Sequence, residues 1–366
     1  MKIPFFPYER VYESKKAKFD EIILDVLGRS EFIMRDELER CEKSLADYIG
    51  CKHVLGVANG TDAIWLGFLA MQLKAGDEII MSDHTYVATA GASLLLGLKP
   101  VPCGIDQRNL LDPTDLVSKI SKRTKAVIVS QINGTVANMT EIQKVCDEHG
   151  LILCEDSAQG LGAKRFGKSA GTFGSFGTLS FFPAKVLGCF GDGGAIFTDD
   201  DDLYDSLVKL RDHGRDKSGR VNGFGINSRL DNVQAAIIDY KLSYFDECVD
   251  RRREVASRYD KILMNRNDFA LPILLSQESS GERFTYQNYE FKVDNRDNFE
   301  TYLNKNGIST LRQWGGKGLS QQDNLLDVDY DIESAEIFFN QSIMLPMNEY
   351  LTDEEVEFIC EKIKNY

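Results

Sequence analysis

The residues that could do covalent chemistry centre on one lysine. Lys185 lies within residues 180–195, between an apolar segment and a glycine-rich turn that leads into a second apolar segment. Apolar neighbours would keep water from the amine and lower its pKa, and a neutral lysine amine forms a Schiff base with a carbonyl compound. Periodicity alone favours a different interpretation, in which Lys185 is a surface lysine beside a hairpin.

Two further groups that could bind a ligand stand where apolar segments end. Asp156 closes the apolar run 151–155, and a carboxylate there points into the crevice where parallel sheets bind ligands. The alternative is that Asp156 caps the next segment. Gly60 and Thr61 precede a helical pattern, where a tight turn, a hydroxyl and the first helical N–H groups could hold a phosphate. The alternative there is an ordinary helix cap made by Asn59 or Thr61.

The order of these groups along the chain indicates a pyridoxal phosphate site. A phosphate-type turn comes first, then an aromatic segment at 85–90, the strand-end acid, and last Ser180 and Lys185. In such a site the acid keeps the pyridine nitrogen protonated, and an aromatic ring stacks on the cofactor. Hydroxyl and N–H groups bind its phosphate, and the lysine forms the Schiff base.

A second motif, at residues 162–169, has the pattern G-x-x-x-x-G-K-S of a nucleotide-binding P-loop. A P-loop requires a helix that begins directly after it. Residues 170–177 contain three glycines and are unsuited to starting a helix. We therefore predict a turn between two sheet elements here, and nucleotide hydrolysis is the less favoured alternative, which a helix starting at Lys168 would support.

The elements that must position these groups are visible as short apolar runs rich in β-branched residues. Helical patterns lie between several of them, at 62–73, 88–96 and 141–149. Strands that alternate with helices predict an α/β fold with parallel βαβ units and a sheet covered on both faces. The predicted strands are residues 53–58, 78–82, 100–105, 126–132, 151–155, 178–182 and 195–198.

The pattern changes after Asp231, where the regular alternation of strands and helices stops. We predict a large domain over residues 1–250 and a smaller domain over residues 251–366. The later predicted elements are one or two helices over 232–265, a loop at 277–283, a strand at 289–293, a helix at 296–306 and a last helix opened by Thr352.

The composition excludes several classes of protein. The 366 residues are 43% hydrophobic and 27% charged, and 43 basic against 57 acidic residues give a net charge of −14. A protein that wraps nucleic acid needs a basic surplus, so no nucleic acid partner is expected. No apolar run is long enough for a signal sequence or a membrane span, and eight scattered cysteines predict free thiols in a cytoplasmic protein. The four histidines have no metal-ligand spacing, so no metal is expected.

Five stretches in this order resemble the sugar aminotransferases of the DegT/DnrJ/EryC1/StrS family. The resemblance implies the fold-type I architecture of aspartate aminotransferase: a large domain with a mostly parallel seven-stranded sheet covered by helices, and a smaller α+β C-terminal domain. It also implies pyridoxal 5′-phosphate as the cofactor, pyridoxamine phosphate between the two half-reactions, and a homodimer with active sites at the subunit interface. The stretches are residues 59–63, 85–90, 155–162, 180–195 and 225–231.

The same resemblance assigns a role to each site residue. Core packing is the alternative for Tyr86, a turn and a surface ion pair for Asn227 and Arg229, and burial for Trp314. By resemblance, Lys185 forms the Schiff base, Asp156 pairs with the pyridinium nitrogen, and Gln159 lies beside the phenolic oxygen. The resemblance also implies that Tyr86 stacks on the ring and that the phosphate is held by Gly60, Thr61 and Ser180. It further implies that Asn227 reaches the cofactor phosphate of the neighbouring subunit and that Arg229 contributes to substrate binding. We add Trp314 as a residue that could stack on a base or sugar.

The predicted reaction moves an amino group from L-glutamate to a keto group on a dTDP- or UDP-linked sugar, for a surface polysaccharide or glycan. The turn at 188–195 resembles members that act at C3, since members that act at C4 more often have Glu where this chain has Asp192. Amination at C4 is the alternative, and a non-catalytic regulator is a remote one. A lysine at 185 argues against the dehydratase branch, which has histidine there. Residues 311–317 differ from a histidine-containing stretch of many relatives.

Overall fold

The computed structural model describes residues 1–216, 218–264, 266–271, 278, 281–326 and 330–366. A seven-stranded sheet forms its centre, in the order β1-β9-β8-β5-β4-β2-β3. Its strands are β1 (His53–Val57), β2 (Glu78–Ser82), β3 (Lys99–Cys103), β4 (Thr124–Ser130), β5 (Ile152–Asp156), β8 (Gly177–Ser180) and β9 (Gly194–Thr198), while β6 (Lys164–Arg165) and β7 (Lys168–Ser169) pair separately.

The sheet is mostly parallel, as predicted. Only β9 runs against its neighbours, because it pairs antiparallel with both β1 and β8. The carboxyl ends of β1, β2, β3, β4, β5 and β8 therefore lie along one edge of the sheet. Each of the seven predicted runs is a strand of this sheet, with ends that differ by at most two residues.

Helices cover both faces of the sheet. Ile79 and Met81 of β2 pack in one core cluster with helix α4 (Gly60–Ala70), whereas Ile80 packs in a second cluster with α6 (Pro113–Lys119) and α7 (Met139–His149). This alternation is what a strand buried on both faces requires. The helices of this part are α1 (Tyr8–Glu13), α2 (Lys16–Arg29), α3 (Asp36–Ile49), α4 (Gly60–Ala70), α5 (Val87–Leu95), α6 (Pro113–Lys119), α7 (Met139–His149), α8 (Asp201–Arg211), α9 (Asn232–Leu242) and α10 (Phe245–Leu263).

The P-loop pattern forms a hairpin. Strands β6 and β7 are joined by Phe166 and Gly167, which both have positive φ, of 52° and 78°. Two positive φ values in succession are the signature of a tight hairpin turn. No helix begins after Ser169, so the predicted turn between two sheet elements is confirmed.

A three-stranded antiparallel sheet, in the order β10-β11-β12, organises the C-terminal part. The predicted last helix is confirmed, and Thr352 opens it with a capping box in which its hydroxyl accepts from Glu355 N–H at 3.2 Å. Of the loop predicted at 277–283, residues 278 and 281–283 are described and the others lie outside. The elements are β10 (Phe269–Ala270), β11 (Tyr289–Val293), α11 (Arg296–Lys305), α12 (Glu333–Gln341), β12 (Ser342–Leu345) and α13 (Asp353–Lys364).

Helix α10 joins the two parts. Phe245 and Val249 pack in the core beside β8 and β9, whereas Tyr259 and Leu263 pack in the core of the C-terminal sheet. Ile3 lies in that second core too. The predicted boundary at 250/251 thus falls inside a continuous helix, and the division into domains stays a prediction.

Candidate active site

The carboxyl edge of the sheet brings the predicted site residues together. Asn59 to Thr61 follow β1, Asp156 ends β5, and Ser180 ends β8. Lys185 lies in the loop between β8 and β9. A pocket at this edge is lined by Ala158, Gln159, Leu161, Leu179, Ser180, Phe181, Lys185, Val186, Leu187 and Gln287.

The amine of Lys185 is poorly solvated. Burial lowers its pKa from 10.5 to about 8, and the negative charge of Asp156 opposes that shift. Apolar side chains of the pocket, including Leu179 and Val186, account for the loss of water. Lys185 is half-buried, and together with the lowered pKa this favours the predicted desolvated amine over a surface lysine.

This lowered pKa predicts a pH dependence for cofactor capture. Because the fold disfavours the charged amine, the neutral nucleophilic fraction of Lys185 grows as pH rises and is half complete near pH 8. We expect the rate at which cofactor-free protein takes up pyridoxal phosphate to rise through that midpoint and then level off. Stopped-flow absorbance across the pH range, with a simple alkylamine as control, measures it. A midpoint close to that of the control amine would contradict a desolvated Lys185.

Asp156 is held in place by two direct hydrogen bonds, one of which belongs to a wider network. It is 7% exposed. Thr89 Oγ1 of α5 donates to its Oδ2 at 2.7 Å, and Ala158 N–H donates to its Oδ1 at 3.1 Å. Thr85 Oγ1 lies 3.0 Å from Thr89 Oγ1 and extends the network to Ser130 at the end of β4. The bond from Ala158 is the capping contact expected of the alternative, so the carboxylate caps the next segment and also lies close enough to Lys185 for its charge to raise the pKa of that amine.

The turn before α4 has the form of a small anion cradle. Asn59 caps the helix, since its side chain accepts from Asp62 N–H at 2.8 Å. This cap explains why α4 begins two residues before the predicted start. The hydroxyl of Thr61 has no hydrogen-bond partner among the described residues and is free for a ligand. A Cβ built on Gly60 would lie 3.0 Å from Ser180 Cβ, so the helix N-terminus and the end of β8 meet closely here.

Filling this cradle should weaken cofactor binding. We expect Gly60→Val to raise the dissociation constant for pyridoxal phosphate by about tenfold or more, because the new side chain collides with Ser180 and covers the helical N–H groups. Fluorescence titration of the cofactor-free variant measures the constant. Gly28→Ala is the matched control, since a Cβ at Gly28 in α2 meets no atom within 4 Å. Unchanged affinity in Gly60→Val would remove this turn from the cofactor site.

Gln159 lies beside Lys185 in the pocket and begins a chain of buried amides. Its Oε1 accepts from Asn133 N–H at 2.8 Å and lies 3.3 Å from Asn288 Nδ2. Asn288 Nδ2 also donates to Gln313 Oε1 at 2.9 Å, and Gln313 Nε2 lies 3.2 Å from His84 Nε2. The segment at 311–317, which differs from many relatives, is thereby connected to the pocket through side chains.

Tyr86 and Trp314 lie on the solvent side of this region. Tyr86 is 54% exposed, so the alternative of core packing is wrong. The two ring centroids are 6.2 Å apart. Trp314 is half-buried and has a left-handed backbone, with φ 49° and ψ 35°. A bulky residue in that conformation is uncommon and is concentrated at functional sites.

Asn227 and Arg229 flank Ser228, whose Oγ accepts from Ala58 N–H at 3.2 Å, next to the phosphate turn. The side chain of Asn227 is exposed. Arg229 Nη1 donates to Asp212 Oδ1 at 3.0 Å. Within one chain these residues show the turn and ion pair of the alternative interpretation. Their contacts to a neighbouring subunit stay predictions.

Several residues at the site were not predicted. Glu155, next to Asp156, is fully buried and accepts from the N–H groups of Gly171, Phe173 and Gly174, which fixes the loop before β8. Gln287 contacts the Lys185 loop from the C-terminal part. The polar residues of 285–290 carry no sequence signal, because ordinary amides gain their roles only through partners remote in the chain.

Comparison with known proteins identifies the family. The model of the DegT/DnrJ/EryC1/StrS aminotransferase family matches residues 13–364. The chain belongs to this family. It is therefore a pyridoxal phosphate-dependent sugar aminotransferase, and the predicted enzyme class and cofactor are confirmed.

Individual relatives show the range of the family. A UDP-2-acetamido-2-deoxy-3-oxo-D-glucuronate aminotransferase of Pseudomonas aeruginosa is 36% identical, with 96% of each chain covered. A pleiotropic regulatory protein of Geobacillus stearothermophilus is 33% identical, with 100% of this chain and 99% of the relative covered. A GDP-perosamine synthase of Vibrio cholerae is 30% identical, with 98% of each covered. The aminotransferase also matches the structure of Streptomyces venezuelae DesV in complex with a ketimine intermediate, with a TM-score of 0.94, 30% identity, and 100% and 98% of the two chains covered.

The described part of the aminotransferase contains no cluster of three or more histidine, cysteine, aspartate or glutamate residues that could hold a metal ion. All eight cysteines are free thiols, as predicted. Among the described residues, no helix has the length and apolar character needed to cross a bilayer.

Proposed function

We propose that the enzyme transfers the amino group of L-glutamate to the C3 keto group of a UDP- or dTDP-linked keto sugar. The product would be an amino sugar for a surface polysaccharide or glycan. The observation that carries the proposal is the desolvated amine of Lys185, within the electrostatic influence of Asp156, at the carboxyl edge of the sheet. A lysine amine with a pKa of about 8 can exist in its neutral form near neutral pH and move protons there.

The residues at this edge fit pyridoxal phosphate. The phosphate would be held by Gly60, Thr61 and Ser180. Gly60 has no Cβ to fill the space between α4 and β8, and the hydroxyl of Thr61 has no hydrogen-bond partner among the described residues. Asp156 would face the pyridine nitrogen, Gln159 the phenolic oxygen, and Tyr86 one face of the ring. Asn227 would contribute from the neighbouring subunit. When bound, the cofactor supplies the electron sink that makes an α-proton acidic.

The protein's own part in the reaction is to hold and move protons. Lys185 Nζ would accept the proton from the α-carbon of glutamate and then donate it at the C4′ carbon of the bound cofactor. In the second half-reaction, with the keto sugar, the same amine would work in reverse. Hydrogen bonds from Thr89 and Ala158 hold the carboxylate of Asp156. Its negative charge would therefore keep one position in the site during both half-reactions.

Arg229 and Trp314 are proposed to contact the nucleotide sugar. Arg229 lies beside the phosphate turn and needs only to exchange Asp212 for a ligand anion. Trp314 and the exposed ring of Tyr86 lie with their ring centroids 6.2 Å apart and form an aromatic surface on which a base or sugar could stack. The strained backbone of Trp314 supports a functional placement of its indole.

The homodimer is a second part of the proposal. Apolar side chains that a monomer would leave in water lie on α5 and on the segment before Asn227. Patches of this kind mark interaction sites. They are Val87, Leu94, Leu95, Val221 and Phe224. The free cysteines support a cytoplasmic location, where thiols stay reduced.

Amination at C3 is favoured over C4 by two observations. The turn before β9 carries Asp192, which is typical of members that act at C3, and the relative from Pseudomonas aeruginosa is named for a 3-oxo sugar. Amination at C4 of a dTDP-, UDP- or GDP-4-keto-6-deoxy sugar is the second candidate, which the GDP-perosamine synthase from Vibrio cholerae supports.

A substrate panel tests the assignment. The holoenzyme is incubated with L-glutamate and, in turn, with UDP- and dTDP-linked 3-keto sugars and with UDP-, dTDP- and GDP-linked 4-keto sugars, and NMR of each product locates the new amine. We expect an amine at C3 and formation of 2-oxoglutarate in equal amount. Amination of the 4-keto sugars alone would overturn the C3 assignment. Turnover of no sugar, with glutamate still converting the enzyme to its pyridoxamine phosphate form, would overturn the acceptor class.

A further inference from the structure

The side chain of Gln287 holds the backbone on both sides of Lys185. Its Oε1 accepts from Val186 N–H at 3.0 Å, and its Nε2 donates to Ala184 C=O at 2.9 Å. One amide thus binds the two peptide groups that flank the lysine, as an adjacent strand would. Gln287 also lines the same pocket as the lysine.

Gln287 is itself fixed by the C-terminal part of the chain. It lies two residues before β11 and is 6% exposed. Arg252 Nη1 donates to the carbonyl groups of Gln287 at 3.2 Å, Tyr286 at 3.1 Å and Met347 at 3.2 Å. Arg252 Nε donates in turn to Glu349 at 2.8 Å. Since Arg252 and Glu349 are both largely buried, the backbone of Gln287 has little freedom to move.

The rest of the Lys185 loop is held by other residues. Lys185 N–H donates to Phe182 C=O at 2.8 Å, and Cys189 N–H donates to Phe181 C=O at 2.8 Å. Gln234 forms the same kind of amide pair as Gln287, but with Phe190: its Oε1 accepts from Phe190 N–H at 2.9 Å, and its Nε2 donates to Phe190 C=O at 3.2 Å. The contacts of Gln287 differ because they lie directly on either side of the reacting residue.

We propose that Gln287 is a positioning residue for Lys185, through which the C-terminal part of the chain sets where the lysine amine stands in the pocket. The proposal rests on the proposed role of Lys185. The backbone that carries an amine which moves protons between two carbons must stay in a fixed position, because a misplacement of about 1 Å can reduce a rate by about 100-fold. The glutamine amide fixes the backbone on both sides of Lys185. It also fills the space beside the lysine that water would otherwise enter.

Two substitutions at Gln287 separate these contributions. Gln287→Ala removes both hydrogen bonds and opens space for water. Gln287→Glu keeps the volume and the acceptor for Val186 N–H, but an ionised carboxylate cannot donate to Ala184 C=O. Gln234→Ala is the matched control, since it removes the same pair of bonds from the same loop at Phe190.

The first readout is the titration of Lys185 in the full-length cofactor-free protein. Reductive methylation at a series of pH values, followed by mass spectrometry of the Lys185 peptide, gives the midpoint. Wild type should titrate near pH 8. We expect Gln287→Ala to raise the midpoint by about one unit, because water stabilises the charged amine, and Gln287→Glu to raise it at least as far, because a carboxylate is added. Gln234→Ala should keep the wild-type midpoint.

The second readout is steady-state kinetics of the holoenzyme. We expect kcat to fall about 10- to 100-fold in both Gln287 variants, while KM for glutamate stays within about threefold, since Gln287 positions the lysine without holding the donor. Circular dichroism and thermal melting check folding. If Gln287→Ala does not fold, Gln287→Glu, which keeps the core filled, decides the question.

The proposal is wrong if the Gln287 variants titrate at the wild-type midpoint with unchanged kcat, or if Gln234→Ala shifts the midpoint as far as they do. Failure of the proposed function would look different. In that case Lys185→Ala would retain transamination, while the titration of Lys185 in the cofactor-free variants would still report whether Gln287 positions it.

Discussion

Lys185→Ala should lower kcat for transamination by about 10³-fold or more and remove the covalent link to pyridoxal phosphate. The reason is that Lys185 combines a pKa lowered to about 8 with a place in the pocket beside Ser180 and Gln159. Its amine has no hydrogen-bond partner among the described residues, so the substitution should leave the melting temperature nearly unchanged. Single-turnover kinetics with glutamate and the loss of the near-visible absorbance band measure the effect.

Lys241 provides the internal control for this assignment. It too is a buried lysine whose pKa is lowered by burial, but its Nζ donates to Gly188 C=O and supports the loop. Borohydride reduction of the wild-type holoenzyme followed by peptide mapping should place the cofactor on Lys185 and leave Lys241 unlabelled. A label on Lys241, or full activity in Lys185→Ala, would contradict the proposed catalytic role.

Asp156→Asn should lower the rate of the glutamate half-reaction by about 10²- to 10³-fold, the usual effect of removing one preorganised electrostatic contact. An asparagine keeps the shape of the side chain and can still accept from Ala158 N–H, while its Nδ2 would donate to Thr89 Oγ1 in place of the bond that the carboxylate accepts, so the charge is lost with little change in position. The negative charge of Asp156 also raises the pKa of Lys185, and its removal should move the Lys185 midpoint below about 8. Single-turnover absorbance and the methylation titration measure the two effects.

Asp83→Asn is the matched control for this substitution. Asp83 is another buried acid at the carboxyl edge of the sheet, but it accepts from Ser320 N–H at 2.7 Å and Ser320 Oγ at 2.9 Å, away from Lys185. We expect its half-reaction rate to stay within about threefold of wild type. Equal losses of rate in the two variants would mean that Asp156→Asn slows the half-reaction only because it destabilises the carboxyl edge of the sheet.

The strands were predictable because their signal is local. The bounds of β2 agree with the predicted strand at 78–82, whose centre, Ile79 to Met81, is apolar at consecutive positions because the strand is covered on both faces. The P-loop pattern was interpretable for the same reason, because the glycines after Ser169 bear directly on whether a helix can begin there. The start of α4 was less predictable, since it depended on which of Asn59 and Thr61 acts as the cap.

The residues of the site also differ in whether a local sequence signal predicts them. The sequence by itself predicted the pair proposed to react, Lys185 and Asp156, and the phosphate turn, through the order of these groups along the chain and the family resemblance that this order carries. Parallel strands bring their carboxyl ends to one edge whatever else the chain does. The tertiary structure decided what surrounds that pair. Gln287 and Arg252, which are more than 60 residues beyond Lys185 along the chain, became part of the site only when α10 and the segment before β11 packed against the lysine loop. Their hydrogen bonds depend on distances set by the packing of two cores, and no pattern in the local sequence records those distances.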